Sequence, residues 1–138
     1  MARHRLPIPL RWSDFDALAH VNNVRYFEFM QDARVSIVNT LGLLPNRLTE
    51  VGHFVAHNEI DYIAPIGMDV TEIEIDIWVT KIGGASYTVR YEVLDEPGTV
   101  YAKAMSVMVC VDMRTQAVTR VPDDMREALA QFIEPDAA

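Results

Sequence analysis

Apolar and polar positions recur along this chain with two different periods, and each period predicts a different element. Over residues 23 to about 41, Tyr26, Phe27, Met30, Ala33, Ile37, Val38 and Leu41 return at steps of three and four, which lines them up on one stripe of a long helix. Asn22 or Asn23 can cap its start, and Gly42 followed by Pro45 can end it. Residues 71–80 read TEIEIDIWVT, with Ile73, Ile75, Ile77 and Val79 on one face and Glu72, Glu74 and Asp76 on the other, the mark of a half-buried strand. Tyr87, Val89, Tyr91 and Val93 repeat that period after Gly83 and Gly84, a pair that tolerates the positive φ of a hairpin turn. A further strand is expected over 100–111 beyond the turn DEPG at 95–98, and an earlier one with imperfect alternation over 54–63. LPIPLRW at 6–12 is extended, its prolines marking an edge, and Pro122 opens a short helix in DDMREALAQFI.

The order is strand, long helix, four strands largely joined by hairpins, short helix, and it predicts an α+β fold. Four meandering strands would form an antiparallel sheet with the helix on one face. The other face would carry Trp78 and, depending on register, some of Tyr87, Tyr91, Met105 and Met108. Burial of that face by a second subunit is therefore expected, giving a homodimer or a homotetramer.

Composition narrows the classes. The 138 residues suit a single domain over 1–138, and 50% hydrophobic with 23% charged residues excludes a disordered or fibrous chain. A formal net charge of −8 argues against nucleic acid and an anionic membrane surface as partners. The longest apolar run, 104–111, is too short to span a bilayer, and the two prolines in the first apolar stretch spoil it as a signal sequence, so a cytoplasmic location is expected. Cys110 has no cysteine to pair with and reads as a buried structural thiol.

Chemistry concentrates between the first strand and the long helix. Asp14 and Asp16 are two apart, a spacing that in extended chain points both carboxylates one way. By themselves they more often merely organise a loop before a helix. The stretch RWSDFDALAHVNNVRYFEFMQDAR, 11–34, adds His20, Asn22, Asn23 and Tyr26. Trp12, Asp14, Asp16, His20, Val21, Asn22, Asn23 and Tyr26 together resemble the loop motif of the hotdog-fold thioesterases of the 4-hydroxybenzoyl-CoA thioesterase and YbgC-like group. IDYIAPIGMD and KIGGASYTVRYEV resemble that family's second strand and central hairpin. The resemblance implies a five-stranded antiparallel sheet wrapped around one long helix and paired into dimers.

It also implies hydrolysis of an acyl-CoA thioester to a carboxylic acid and free CoA, without cofactor or metal. By motif position Asp16 is the catalytic carboxylate, as general base or as nucleophile, and the Asn23 backbone N–H is the oxyanion donor. His20 either orients water or carbonyl or bonds the loop backbone. Asn22 and Tyr26 are candidate substrate contacts, with capping and packing as their structural alternatives, and Glu28 on the helix is a second candidate carboxylate beside Asp32. Asn58 is a candidate acyl-pocket residue. Ser86, Lys81 and Arg90 are candidates for CoA contacts near the hairpin, with Arg114 and Arg120 as further basic residues. His53, His57 and Asp61 lack zinc-like spacing. The family usually has Gly before the His, whereas here it is Ala19, whose methyl group is expected to exclude positive φ or to narrow the backbone's approach to the acyl chain. The competing readings are a non-catalytic acyl-CoA-binding protein and a thioesterase acting on acyl carrier protein.

Overall fold

Segment 71–80 is central to the sheet. In the computed structural model, which describes residues 3–41 and 50–136, it belongs to β3 (Glu72–Ile82), whose Ile73, Ile75, Ile77 and Val79 are completely buried. β3 pairs antiparallel with β1 (His4–Pro9) on one side and β4 (Ser86–Leu94) on the other, and β4 pairs with β5 (Val100–Asp112). β2 (Val51–Tyr62) pairs with β5, so the strand order is β1-β3-β4-β5-β2, with the short β6 (Ala117–Val118) beside β5. The expected antiparallel sheet is present, but four consecutive strands do not meander: β3, β4 and β5 do, while β2 lies at the far edge. The chain after β2 is not a hairpin because it is held elsewhere. Ile66 O accepts the Val21 N–H, and Gly67 bridges to His20, which ties this connection to the segment before the helix.

The helix α1 (Asn23–Thr40) lies over β3 and β1 and buries Tyr26, Phe29, Met30, Ala33, Ile37 and Val38. Phe29 takes the place expected of Phe27, which stands on the flank and is 39% exposed. The expected stop at Gly42 and Pro45 lies outside the described residues. Because α1 covers the β1–β3 side, the inner face of β2 is left open. Its Val55, Asn58 and Tyr62 are exposed there.

The opposite face is closed partly by the chain itself. Trp78 is buried, with the Arg3 guanidinium 3.7 Å from its ring centroid, and Arg3 is held by Glu92 and Glu134 at 2.8 Å each. After α2 (Asp123–Ala130) the chain runs beside β3, where Val79 N–H donates to Phe132 O and Glu134 N–H donates to Val79 O. Tyr87, Tyr91 and Met108 join the core on the helix side. Cover for Trp78 thus comes from within the protomer, which the sequence reading assigned to a second subunit. Cys110 is buried, and burial pushes its thiol pKa up. No helix among the described residues is long and apolar enough to cross a membrane.

Candidate active site

Two short backbone pairings build the loop between β1 and α1. Phe15 bridges antiparallel to Val21, Asp16 N–H donates to His20 O at 3.1 Å, and Asn22 N–H donates to Asp14 O at 2.9 Å. Phe15 packs against the core and Val21 is in it, so the apolar side of this ladder faces inward. Asp16 and His20 stand opposite one another across it, a pairing that puts both side chains on one side. The Asp16 carboxylate accepts the Leu18 N–H at 2.9 Å through Oδ1. Asp14 is the buried carboxylate: Oδ2 accepts the Arg11 N–H at 2.7 Å, and Oδ1 lies 3.4 Å from the Arg11 guanidinium and 3.9 Å from Arg25 Nε. Asp14 therefore anchors the loop while Asp16 is left more accessible.

Ala19 closes the turn with φ of 61°, the left-handed region. The methyl group does not prevent that conformation, but an L-residue there costs roughly 1–2 kcal/mol. Ala19→Gly relieves this and adds freedom to the unfolded chain, so a net gain on the order of 1 kcal/mol is expected in urea unfolding. No gain or a loss would show that Ala19 is unstrained.

Asn22 caps α1. Its side chain accepts the Val24 N–H at 2.9 Å, and its carbonyl accepts the Arg25 N–H at 3.0 Å. Of the first three helix N–H groups, the one at Asn23 is left without a hydrogen bond among the described residues. It sits at the positive end of the helix dipole, beside a cavity of about 250 Å³ lined by Val21, Asn23, Tyr26, Tyr62 and Ala64. The Tyr62 hydroxyl donates to Asn23 O at 3.1 Å, and its ring meets Tyr26 edge-on at 5.0 Å. Burial raises the Tyr26 hydroxyl to about 12, so it stays protonated near neutrality. Tyr62 was not singled out from the sequence. The register shift between Val55 and His57 breaks the alternation that would have placed it on the helix side.

Asp16, His20, Asn22, Asn23 and Tyr26 are thus brought together at one end of α1. Asn58 stands midway along β2, where its Oδ1 accepts from Ser106 Oγ. Ser106 Oγ in turn accepts from the Tyr91 hydroxyl at 2.8 Å, which accepts from Arg34 at 2.9 Å. Lys81 and Ser86 lie at the β3–β4 hairpin. The β1 register places the Asp16 loop at the opposite end of β3, past Glu72, roughly 30 Å from Lys81 along the strand. Arg90 is engaged in a paired contact with Asp136, at 2.7 and 3.2 Å. Within one protomer these three do not meet Asp16. Arg126 clasps the hairpin by donating to Gly83 O and Gly84 O. Glu28 pairs with Arg25 at 2.9 Å on the exposed side of α1, and Asp32 is exposed. His57 contacts Glu59 at 3.0 Å, and among the described residues no three His, Cys, Asp or Glu side chains converge as metal ligands would.

A family model for the thioesterase-like superfamily matches residues 10–129. The chain belongs to that superfamily. It is 28% identical over 129 residues to the long-chain acyl-CoA thioesterase FadM of Escherichia coli, covering 92% of this chain and 97% of that one. Among solved structures, the PA5185 protein of Pseudomonas aeruginosa superposes with a TM-score of 0.86 at 30% identity, covering 95% of this chain and 92% of that one. PA2801, a putative thioesterase of the same organism, gives 0.80 at 27% identity, covering 91% and 96%. These relatives agree with the hotdog fold and with a thioester hydrolase.

His53, set aside in the sequence as a metal candidate, is half-buried on β2 and contacts the Tyr87 hydroxyl through Nδ1. Burial lowers its pKa from 6.5 to about 4. The groups around it are Tyr87, the Cys110 thiol opposite it on β5, and Arg34 from α1. Between pH 6.5 and 4 the unfolded chain binds a proton that the folded protein refuses, so stability falls as pH falls through that window. The loss is about 3 kcal/mol. His4, whose pKa burial also lowers, adds in the same direction. Comparing wild type with His53→Phe cancels the common terms: wild type should lose that amount relative to the variant between pH 7.5 and 4. Parallel stability curves would show His53 to be solvated.

Proposed function

We propose that the protein is an acyl-CoA thioesterase, and the observation that carries this reading is the unpaired Asn23 N–H at the start of α1, following the loop that holds Asp16. Asp16 takes a proton from water, the hydroxyl oxygen adds to the thioester carbonyl, and the resulting oxyanion accepts the Asn23 N–H. Collapse breaks the C–S bond and gives a carboxylic acid and CoA, the thiolate taking up the proton. A route in which Asp16 attacks directly and a mixed anhydride is then hydrolysed uses the same carboxylate and the same donor. His20, opposite Asp16, positions the water or the carbonyl. Ala19 takes up a left-handed conformation where the motif usually has Gly, which supports placing the chain with the 4-hydroxybenzoyl-CoA thioesterase-like members.

The test is thiol release from short, medium, long and aromatic acyl-CoA esters. Turnover by wild type that Asp16→Asn abolishes supports the proposal, whereas binding of acyl-CoA without release by either protein refutes it in favour of a binding module. An acyl-pantetheine carrier protein as the preferred substrate would replace CoA as the carrier.

A homodimer is proposed as the working form. β2 ends the sheet with a twelve-residue edge that takes no partner strand on its outer side among the described residues. Phe54, Val55, Tyr62 and Ile63 are exposed along or beside it, and so are Val24, Phe27 and Val35 on the neighbouring flank of α1. A long apolar edge is stable in solution only when covered. Light scattering should give about twice the 15.6 kDa chain mass, and a monomer at micromolar concentration would refute it.

A further inference from the structure

The open inner face of β2 and the flank of α1 bound a trough that leads away from Asn23. Tyr62 stands at its near end, against the helix start. Asn58 is midway, and Val55 and His53 are at its far end, on the same face as Met108 and Cys110 by register. There the trough deepens into a cavity of about 460 Å³ lined by Arg34, Val38, His53, Val55, Tyr87 and Met108. Gly52, Phe54 and Met113 line it as well, and a Cβ at Gly52 would meet Met113 Sδ at 2.6 Å and the Phe54 ring at 2.7 Å. Among the described residues the wall is mostly hydrocarbon; its polar groups are Gln31, Arg34, which donates to the Tyr91 hydroxyl, the Tyr87 hydroxyl on His53 Nδ1, and His53 itself. His53 Nε2 is shielded from solvent and has no hydrogen-bond partner among the described residues.

We propose that this trough holds the acyl group and that His53, at its far end, selects acyl chains bearing a terminal hydroxyl. The proposal rests on the acyl-CoA reading of the site and names its substrate class. Length fits a long chain. Along α1, Asn23 is about 12 Å from Gln31 at the mouth of the cavity and about 16 Å from Arg34. At about 3.5 Å per three bonds of extended chain, these spans correspond to roughly ten and fourteen bonds.

The polar match follows from the tautomers. When Nδ1 accepts from the Tyr87 hydroxyl, Nε2 carries a hydrogen that needs an acceptor. When Nδ1–H donates to Tyr87, Nε2 is an acceptor that needs a donor. A hydroxyl meets either need, and a methyl terminus meets neither and leaves the nitrogen buried and unpaired. Burial keeps the ring neutral at neutral pH, so the selection is by hydrogen bonding and not by charge. Sites built to bond a substrate oxygen discriminate strongly against analogues that lack it, while an extra methylene in an apolar pocket counts for little.

The test uses binding, so that it is independent of turnover. S-alkyl-CoA thioethers, which cannot be hydrolysed, are prepared in matched pairs with and without a terminal hydroxyl, over chains of about ten to sixteen carbons. At the best length the hydroxylated member should bind wild type at least about tenfold tighter, and His53→Phe, which keeps the volume, should erase that preference. Val38→Trp, which fills the cavity from the helix side, should shift the optimum to shorter chains in both series. Equal binding of each pair by wild type, a preference that survives His53→Phe, an optimum unmoved by Val38→Trp, or no binding of any thioether would each overturn the proposal. Thiol release is read separately. Failure to hydrolyse any acyl-CoA, with the thioether preference intact, would sink the thioesterase reading and leave the hydroxyl-selective trough standing.

Discussion

Replacing Asp16 with Asn is expected to lower kcat/KM for acyl-CoA hydrolysis by about 100- to 10,000-fold, the range associated with loss of a positioned general base. The substitution is conservative where the loop needs it to be. Asp16 Oδ1 accepts the Leu18 N–H, and the amide oxygen of Asn can accept the same bond, so the turn through Ala19 should persist. What disappears is the basicity of the carboxylate, which either route requires. Binding of a thioether analogue and the unfolding midpoint should stay near wild-type values, which separates loss of chemistry from loss of fold. An unchanged rate would move the catalytic role to another carboxylate. Glu28 is then the first to test, by Glu28→Gln, although its ion pair with Arg25 on the exposed side of α1 argues for a surface role.

The long-range pattern of the fold is legible where one face of an element is buried. Ile73 to Val79 alternate because β3 is covered by α1, and the stripe from Tyr26 to Val38 exists because α1 lies on that strand. The position of β2 is not legible, since period two says that a strand exists and not which neighbour it takes. Edge strands exposed on both faces, as β2 largely is, also lose the alternation that would mark them. For the same reason Tyr62 escaped attention and His53 was weighed only as a metal ligand: each gains its meaning from α1 or β4, more than thirty residues away in sequence. The loop from Asp14 to Asn23 is the reverse case. Its residues are contiguous and its pairings are local, so the motif alone could carry the site. The cover for Trp78 depends on Arg3 and Glu134 meeting from the two ends of the chain, and no local pattern announces such a contact.

The second large effect is expected from a backbone change. Asn23→Pro removes one N–H and little else. Proline is favoured at the first position of a helix, because the N–H it lacks has no partner within the helix and its fixed φ suits the helix. It also restricts the residue before it to extended conformations, and Asn22 already has φ of −62° and ψ of 135°. The cap is unaffected, since Asn22 bonds the N–H groups of Val24 and Arg25 and not that of Asn23. The variant should therefore fold with α1 intact and lose the donor assigned to the oxyanion, which typically costs about 100- to 1000-fold in kcat. KM should change little, because the oxyanion forms after the substrate is bound. Asn23→Ala keeps the N–H and removes the side chain, and should retain most of the activity. If Asn23→Ala falls as far as Asn23→Pro, the side chain and not the backbone serves the reaction. If neither falls, the oxyanion is stabilised elsewhere and the helix start has only a structural role.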